Sequence, residues 1–146
     1  MSKEERTGWR DMALSGRHRA WGEDVPAVDV DWVVVEYDRR VPVAIIDYKR
    51  GLNWIERASD HSNLAALAAL ADGYNKGIPF LIVRYDNDPW RFSLEPRNAS
   101  ARERIPKKGC GVVLSELRYV TFLYWLRDRP LPDIIRPELS TTETCP

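Results

Sequence analysis

The apolar positions of the chain gather most densely in two neighbouring runs. The first is Val30-Asp31-Trp32-Val33-Val34-Val35-Glu36-Tyr37 and the second Val41-Pro42-Val43-Ala44-Ile45-Ile46-Asp47-Tyr48-Lys49, with the polar Asp38-Arg39-Arg40 between them. Short β-branched runs bounded by turn residues predict two strands joined in a hairpin. The turn falls at Asp38-Arg39-Arg40, because Val41 resumes the apolar run and a proline at 42 suits only an edge or the start of a strand. Pairing about Arg39 sets Asp31 opposite Asp47 and Asp29 opposite Lys49. Opposed residues have Cα atoms roughly 4.5–5.5 Å apart. Alternation then gives one face of Asp29, Asp31, Val33 and Val35 with Val43, Ile45, Asp47 and Lys49. The other face holds Val30, Trp32 and Val34 with Ala44, Ile46 and Tyr48. Both faces are largely apolar, as in strands covered on two sides. A slip of one residue would exchange the two faces.

Weaker patterns fill in the rest. The polar N-terminal region has a short helical pattern around Trp9–Leu14, and Arg17-His18-Arg19-Ala20-Trp21-Gly22 reads as an edge strand or an ordered loop. After the hairpin, Arg50–Ser59 reads as a loop opening with Gly51. Asp60 or Ser62 can cap a helix in which Leu64, Leu67, Ala68 and Ala71 recur at helical spacing, with Gly77 and Pro79 as its stop. Ile78–Tyr85 is a further buried strand, and Trp90–Leu94 a shorter one beyond the turn at Asn87-Asp88-Pro89. Pro96–Gly111 has no regular pattern. A last helix spans Ser115 to Arg127, with Leu117, Val120, Thr121 and Tyr124 along one side. Residues 1–129 thus read as one domain, and residues 130–146, with Pro130, Pro132 and Pro137, as a mobile tail.

Composition narrows the class. A chain of 146 residues with 44% hydrophobic content can bury a core, which argues against a disordered protein. The formal net charge of zero removes any global basic signal for nucleic acid. Cys110 and Cys145 lie too far apart for a zinc pattern and make no disulfide framework. No leader-like or long apolar stretch is read, so the expectation is a soluble, cytoplasmic protein without a membrane partner.

The open end of the hairpin carries the chemistry. Three carboxylates (Asp29, Asp31 and Asp47) face one lysine, leaving repulsion that a divalent cation would relieve. Carboxylate oxygens are hard ligands suited to Mg²⁺, which keeps several waters of its own. Glu36 is excluded, because it lies five residues along the strand from Asp31, at roughly 3.3 Å per residue, and points to the other face. The plainer alternative is an exposed strand end in which Lys49 pairs with one or two acids, a contact worth less than about 1 kcal/mol.

The arrangement Asp31 … Asp47-Tyr48-Lys49 resembles the signature of the PD-(D/E)XK nuclease superfamily: an acid on one strand, then acid-any-lysine at the end of the next. The resemblance implies an α/β, restriction-endonuclease-like αβββαβ core with a central mixed sheet flanked by helices. Hairpin, helix and strand would form its later part, and the extra strand and C-terminal helix beyond residue 90 an elaboration. It also implies hydrolysis of DNA, branched or single-stranded forms included, with Mg²⁺ or Mn²⁺ held by Asp31 and Asp47 and Lys49 acting on the attacking water or the transition state. No proline immediately precedes Asp31, and Asp29 stays open as the first acid or an accessory one. Glu4, Glu5 and Glu23 are the candidates for the glutamate that often completes such sites. His18 is an accessory candidate for phosphate contact or proton transfer, or else a surface histidine. Arg17, Arg19 and Arg50 flank the motif as phosphate contacts or as solvated charges. The segment Arg97–Lys108 has five basic residues against one acid, so Arg102, Arg104, Lys107 and Lys108 suit a DNA-tracking loop or a solubilising one. Trp54 can stack on a base or serve packing, and His61 suits a capping or exposed position. A homodimer is an open assembly state. The reading from another class is a catalytically inactive nuclease-like module that binds nucleic acid or protein.

Overall fold

The computed structural model describes residues 12–21, 30–105, 113–136 and 139. Its elements run α1 (Met12–Ala20), β1 (Trp32–Glu36), β2 (Val41–Arg50), α2 (His61–Gly73), β3 (Phe80–Asn87), β4 (Trp90–Pro96), α3 (Ala99–Arg104), β5 (Val113–Ser115) and α4 (Glu116–Leu126). The strands form one mixed sheet in the order β1-β2-β3-β4-β5. β2 and β3 are parallel, and every other neighbouring pair is antiparallel. The parallel pair follows from α2, since a strand returning in the same direction needs a crossover long enough for a helix. The class is therefore α/β, with a five-stranded mixed sheet.

The sheet separates two apolar layers. On one face, Ile45, Phe80 and Ile82 pack against Leu64, Leu67 and Ala71 of α2. On the other, Ile46, Leu81, Val83 and Phe92 pack against Ala101 of α3 and Tyr119 of α4. Consecutive residues of β2 and β3 thus serve opposite layers, which is why both strands read as unbroken apolar runs. Phe80, Leu81, Ile82 and Val83 are fully buried, and truncating Ile82 to Ala is expected to cost about 2–5 kcal/mol.

The hairpin keeps the expected register at its open end and shifts near its turn. Trp32 pairs with Ile46, Val33 with Ile45 and Val34 with Ala44, but Val35 pairs with Pro42 and Glu36 with Val41. A bulge between Val34 and Val35 accounts for the change, and the turn is one residue longer than expected, Tyr37–Arg40. Arg40 takes a positive φ of 57° there.

Other element boundaries differ from those the sequence predicts. The segment expected as an edge strand or loop, from Arg17, is helical through Ala20 and belongs to α1. Its basic sequence has no apolar stripe to announce a helix. The stretch from Pro96, expected to be irregular, contains α3. That helix is one and a half turns long, and its anchor is the buried Asn98. The Asn98 side-chain oxygen accepts hydrogen bonds from the Phe80 amide (3.0 Å) and the Ala101 amide (2.9 Å). Its nitrogen donates to Asp72 Oδ1 (2.9 Å) and the Ile78 carbonyl (2.8 Å). Asp60 precedes α2 but does not cap it; Oδ2 accepts from the Arg57 amide instead (2.9 Å). In α4 the buried residues are Tyr119 and Leu126, rather than the row through Thr121, which is exposed.

Candidate active site at the end of strand β2

β2 is covered on both faces, so its last residues emerge from the core carrying whatever polar groups the sequence supplies. Asp31 immediately precedes β1, and continuing the pairing of Trp32 with Ile46 sets it opposite Asp47. Asp31 Oδ2 accepts a hydrogen bond from the Tyr48 amide (3.1 Å), fastening the acid to the neighbouring strand. Asp47 is only 7% exposed. Lys49, on the same face, places Nζ 3.1 Å from Asp47 Oδ1.

The electrostatics of Asp47 are unbalanced. Burial pushes its carboxyl above the usual aspartate range, Lys49 pulls the other way, and the charge of Asp31 adds to the rise. The net direction is upward, so one ammonium does not offset desolvation together with a second carboxylate. A buried acid in that condition is a candidate for function.

Beside the acids lies a continuous ionic floor. Parallel pairing sets Arg84 of β3 next to Lys49. Arg84 Nη2 lies 2.6 Å from Glu95 Oε2 on β4, and Arg84 Nε donates to the Trp54 carbonyl (2.8 Å). Arg97 reaches Glu56 through two hydrogen bonds of 2.8 and 3.0 Å and Glu95 through one of 3.1 Å. Trp54 and Glu56 belong to the loop after β2. It is fixed where Gly51, at φ 94°, donates to the Tyr85 carbonyl (2.7 Å) and Trp54 to the Gly51 carbonyl (3.1 Å). A φ of that size suits glycine.

Tyr48 points to the opposite layer, where its hydroxyl hydrogen-bonds that of Tyr119 and its ring meets Trp32, Tyr85 and Tyr119 edge-on. This anchors the middle of Asp47-Tyr48-Lys49 and leaves its two charged residues to the other face. Tyr48 also lines an open cavity of about 910 Å³ walled by aromatic residues of the sheet and by α4. A large concave pocket is the usual first choice for a site. Asp47 and Lys49 do not line it, however; they lie on the other face of the sheet.

The remaining sequence candidates scatter. Asp29, Lys107, Lys108, Glu4, Glu5 and Glu23 lie outside the described residues, as do the side chains of His18 and Arg19. Arg17 is exposed on α1, and Arg50 is exposed at the end of β2, on the face opposite Lys49. Arg102 and Arg104 sit on α3, in the α4 layer, with the Arg104 guanidinium 5.1 Å from the centre of the Trp125 ring. The structure therefore does not bring these two arginines to the acids. His61 opens α2 and is exposed, with Nε2 3.5 Å from Glu56 Oε1. The excluded Glu36 is buried at the far end of the hairpin, where its carboxylate accepts from Arg129 Nε (2.7 Å) and the Arg39 amide (2.9 Å). Arg84 and Glu95 were not anticipated. Their signal in the sequence is the interruption of a buried strand: Arg84 follows Ile82 at the spacing that keeps one face.

The donor set fits one divalent cation. Asp31 and Asp47 offer hard oxygen ligands on facing strands, and the unfavourable ionisation of Asp47 is what a cation would reverse. Among the described residues, no group of three or more His, Cys, Asp or Glu gathers around a common point. No family model, no curated protein and no solved structure matches the chain.

Proposed function

We propose that the protein is a metal-dependent nuclease resembling the PD-(D/E)XK enzymes, which hydrolyses phosphodiester bonds in DNA with Mg²⁺ or Mn²⁺ held by Asp31 and Asp47. One observation carries the reading: a buried acid with a raised pKa, set opposite a second acid, has a lysine 3.1 Å away. The order hairpin, α2, then β3 parallel to β2 supports the later part of an αβββαβ core.

The chemistry a divalent ion supplies at such a site is charge neutralisation at the phosphoryl oxygens. Asp47 and Asp31 provide the negative charge that holds it. The Lys49 ammonium would orient the attacking water and stabilise negative charge developing on the phosphoryl oxygens. Attack by water forms a new phosphorus–oxygen bond as the bond to the leaving oxygen breaks. The proton that the water gives up to solvent is balanced by the one the leaving oxygen takes from it, so no side-chain nucleophile is needed.

A panel of duplex, single-stranded and branched DNA, incubated with Mg²⁺ or Mn²⁺ and with a chelator, tests the proposal. Wild-type protein should cut at least one form only with metal, and Lys49→Ala should lower the rate by roughly 10²–10⁴-fold. Full activity in Lys49→Ala would sink the assignment.

The absence of a third acid beside Asp31 and Asp47 among the described residues favours a second reading, an inactive module that binds nucleic acid or protein. Calorimetry separates the two. Binding of Mn²⁺ that disappears in Asp47→Asn supports the enzyme; no binding, with no cleavage of DNA or RNA, supports the module. Light scattering on the same sample reports whether it is a dimer.

A further inference from the structure

We infer that Trp54 is a positioning residue of this site, holding the Lys49 ammonium beside Asp47 through the face of its indole; the inference rests on the nuclease reading for its consequence, not for its geometry. Lys49 Nζ lies 5.2 Å from the centre of the Trp54 ring, and Arg84 Cζ lies 5.4 Å from the same centre. Both are within the reach of cation–π attraction. The indole also packs against the apolar cluster under α2, so part of the ring belongs to the core and part to the ionic floor.

Three features make this more than packing. Lys49 and Arg84 are neighbours on adjacent parallel strands, and two cations so placed repel. The π face gives both a share of negative charge, while Glu95 balances Arg84. Arg84 also fixes Trp54 directly, by donating to its carbonyl. A chain of contacts thus runs from Glu95 through Arg84 and Trp54 to Lys49 and Asp47.

A divalent cation held by Asp31 and Asp47 would change what restrains Lys49. The ion would draw on the Asp47 oxygens that now attract Lys49 and would itself repel the ammonium. A lysine has a flexible four-carbon stem and no fixed fork of donors. Its ion pair with Asp47 would then be too weak to keep it in place. The indole contact is indifferent to what Asp47 binds, and it remains.

Two measurements decide the matter, one independent of cleavage. Lysine amines are methylated reductively with ¹³C-formaldehyde, and the Lys49 signal is assigned by its loss in Lys49→Arg. In wild-type protein that signal should be shifted upfield by the ring current of Trp54, with and without Mg²⁺. It should move to the ordinary lysine position in Trp54→Leu. An unshifted signal in the wild type overturns the inference, even if the protein proves to cut nothing. In the cleavage assay, Trp54→Leu should lower kcat roughly tenfold at unchanged KM, and Trp54→Phe, which keeps a π face, should restore most of it. Equal kcat in Trp54→Leu and the wild type overturns it too, as does a Trp54→Phe no better than Trp54→Leu at matched Tm. Should Trp54→Leu fail to fold, the wild-type signal and the Trp54→Phe rate still decide.

Discussion

The hairpin buries two acids, and their surroundings could hardly differ more. Glu36, 1% exposed, receives hydrogen bonds from Arg129 and from the Arg39 amide, with Arg127 Nη2 3.6 Å away. Those bonds hold its carboxyl down to about 2, the amide of Arg39 contributing most. Asp47, 7% exposed, has one lysine and faces another acid, and its carboxyl is pushed up. Burial alone would raise both. The difference lies in donors: Glu36 has enough to be more stable ionised, Asp47 too few. Glu36 ties the turn of the hairpin to the segment after α4, whereas Asp47 keeps a carboxyl whose ionisation folding disfavours.

The largest effect should come from Asp47. Asp47→Asn is expected to abolish metal-dependent cleavage while leaving Tm in chelator at or above that of the wild type, because it removes an ionisation that folding disfavours. A large fall in its Tm would show that Asp47 stabilises the fold as Glu36 does. Metal gives the next effect. Mg²⁺ at about a hundred times its dissociation constant should stabilise the wild type by roughly 2.7 kcal/mol, read as a rise in Tm, and Asp47→Asn should not respond.

Glu36→Gln should do the reverse of Asp47→Asn. It strips charge from the contact with Arg129, so Tm should fall by several degrees while cleavage persists. Loss of cleavage at a temperature where that variant is folded would join the two ends of the hairpin functionally. The smallest effect is the pH dependence. The unfolded chain titrates Glu36 near 4.5 and the folded protein near 2. Its contribution to stability is therefore complete above about 4.5 and is lost as pH falls towards 2. Asp47 has the opposite sign: the advantage of its protonated form is complete below 3.8 and disappears as pH rises through the raised folded value. Denaturation followed between pH 2 and 5 should show a shallower acid loss in Glu36→Gln than in the wild type.

Asp31, Asp47 and Lys49 were legible because their juxtaposition depends on one short turn and on alternation along two adjacent strands. The bulge at Val34/Val35 displaced the pairing only between itself and the turn, so the open end kept its register. Arg84 was not legible for the same reason in reverse. Its place beside Lys49 depends on a parallel crossover through α2, and no local rule fixes how far β3 slides along β2. α3 escaped notice because a helix so short has little pattern, and its anchor is a buried asparagine bonded to residues as far back as Asp72.

Sequence by itself determined β1 to β4, the α2 and α4 helices and the facing pair of acids with their lysine, since apolar periodicity and turn chemistry are local properties of the chain. β5, three residues long and placed in the sheet by its pairing with β4, was not among them. Tertiary structure alone decided which buried acid would be stabilised in its ionised form. Arg129 lies ninety-three positions from Glu36 and reaches it only because α4 packs back across the sheet. Arg84 and Trp54 flank Lys49 only because β3 returns parallel to β2 and the Gly51 turn folds over the strand end. Charge balance in a core is set by neighbours in space, and those neighbours are distant in sequence.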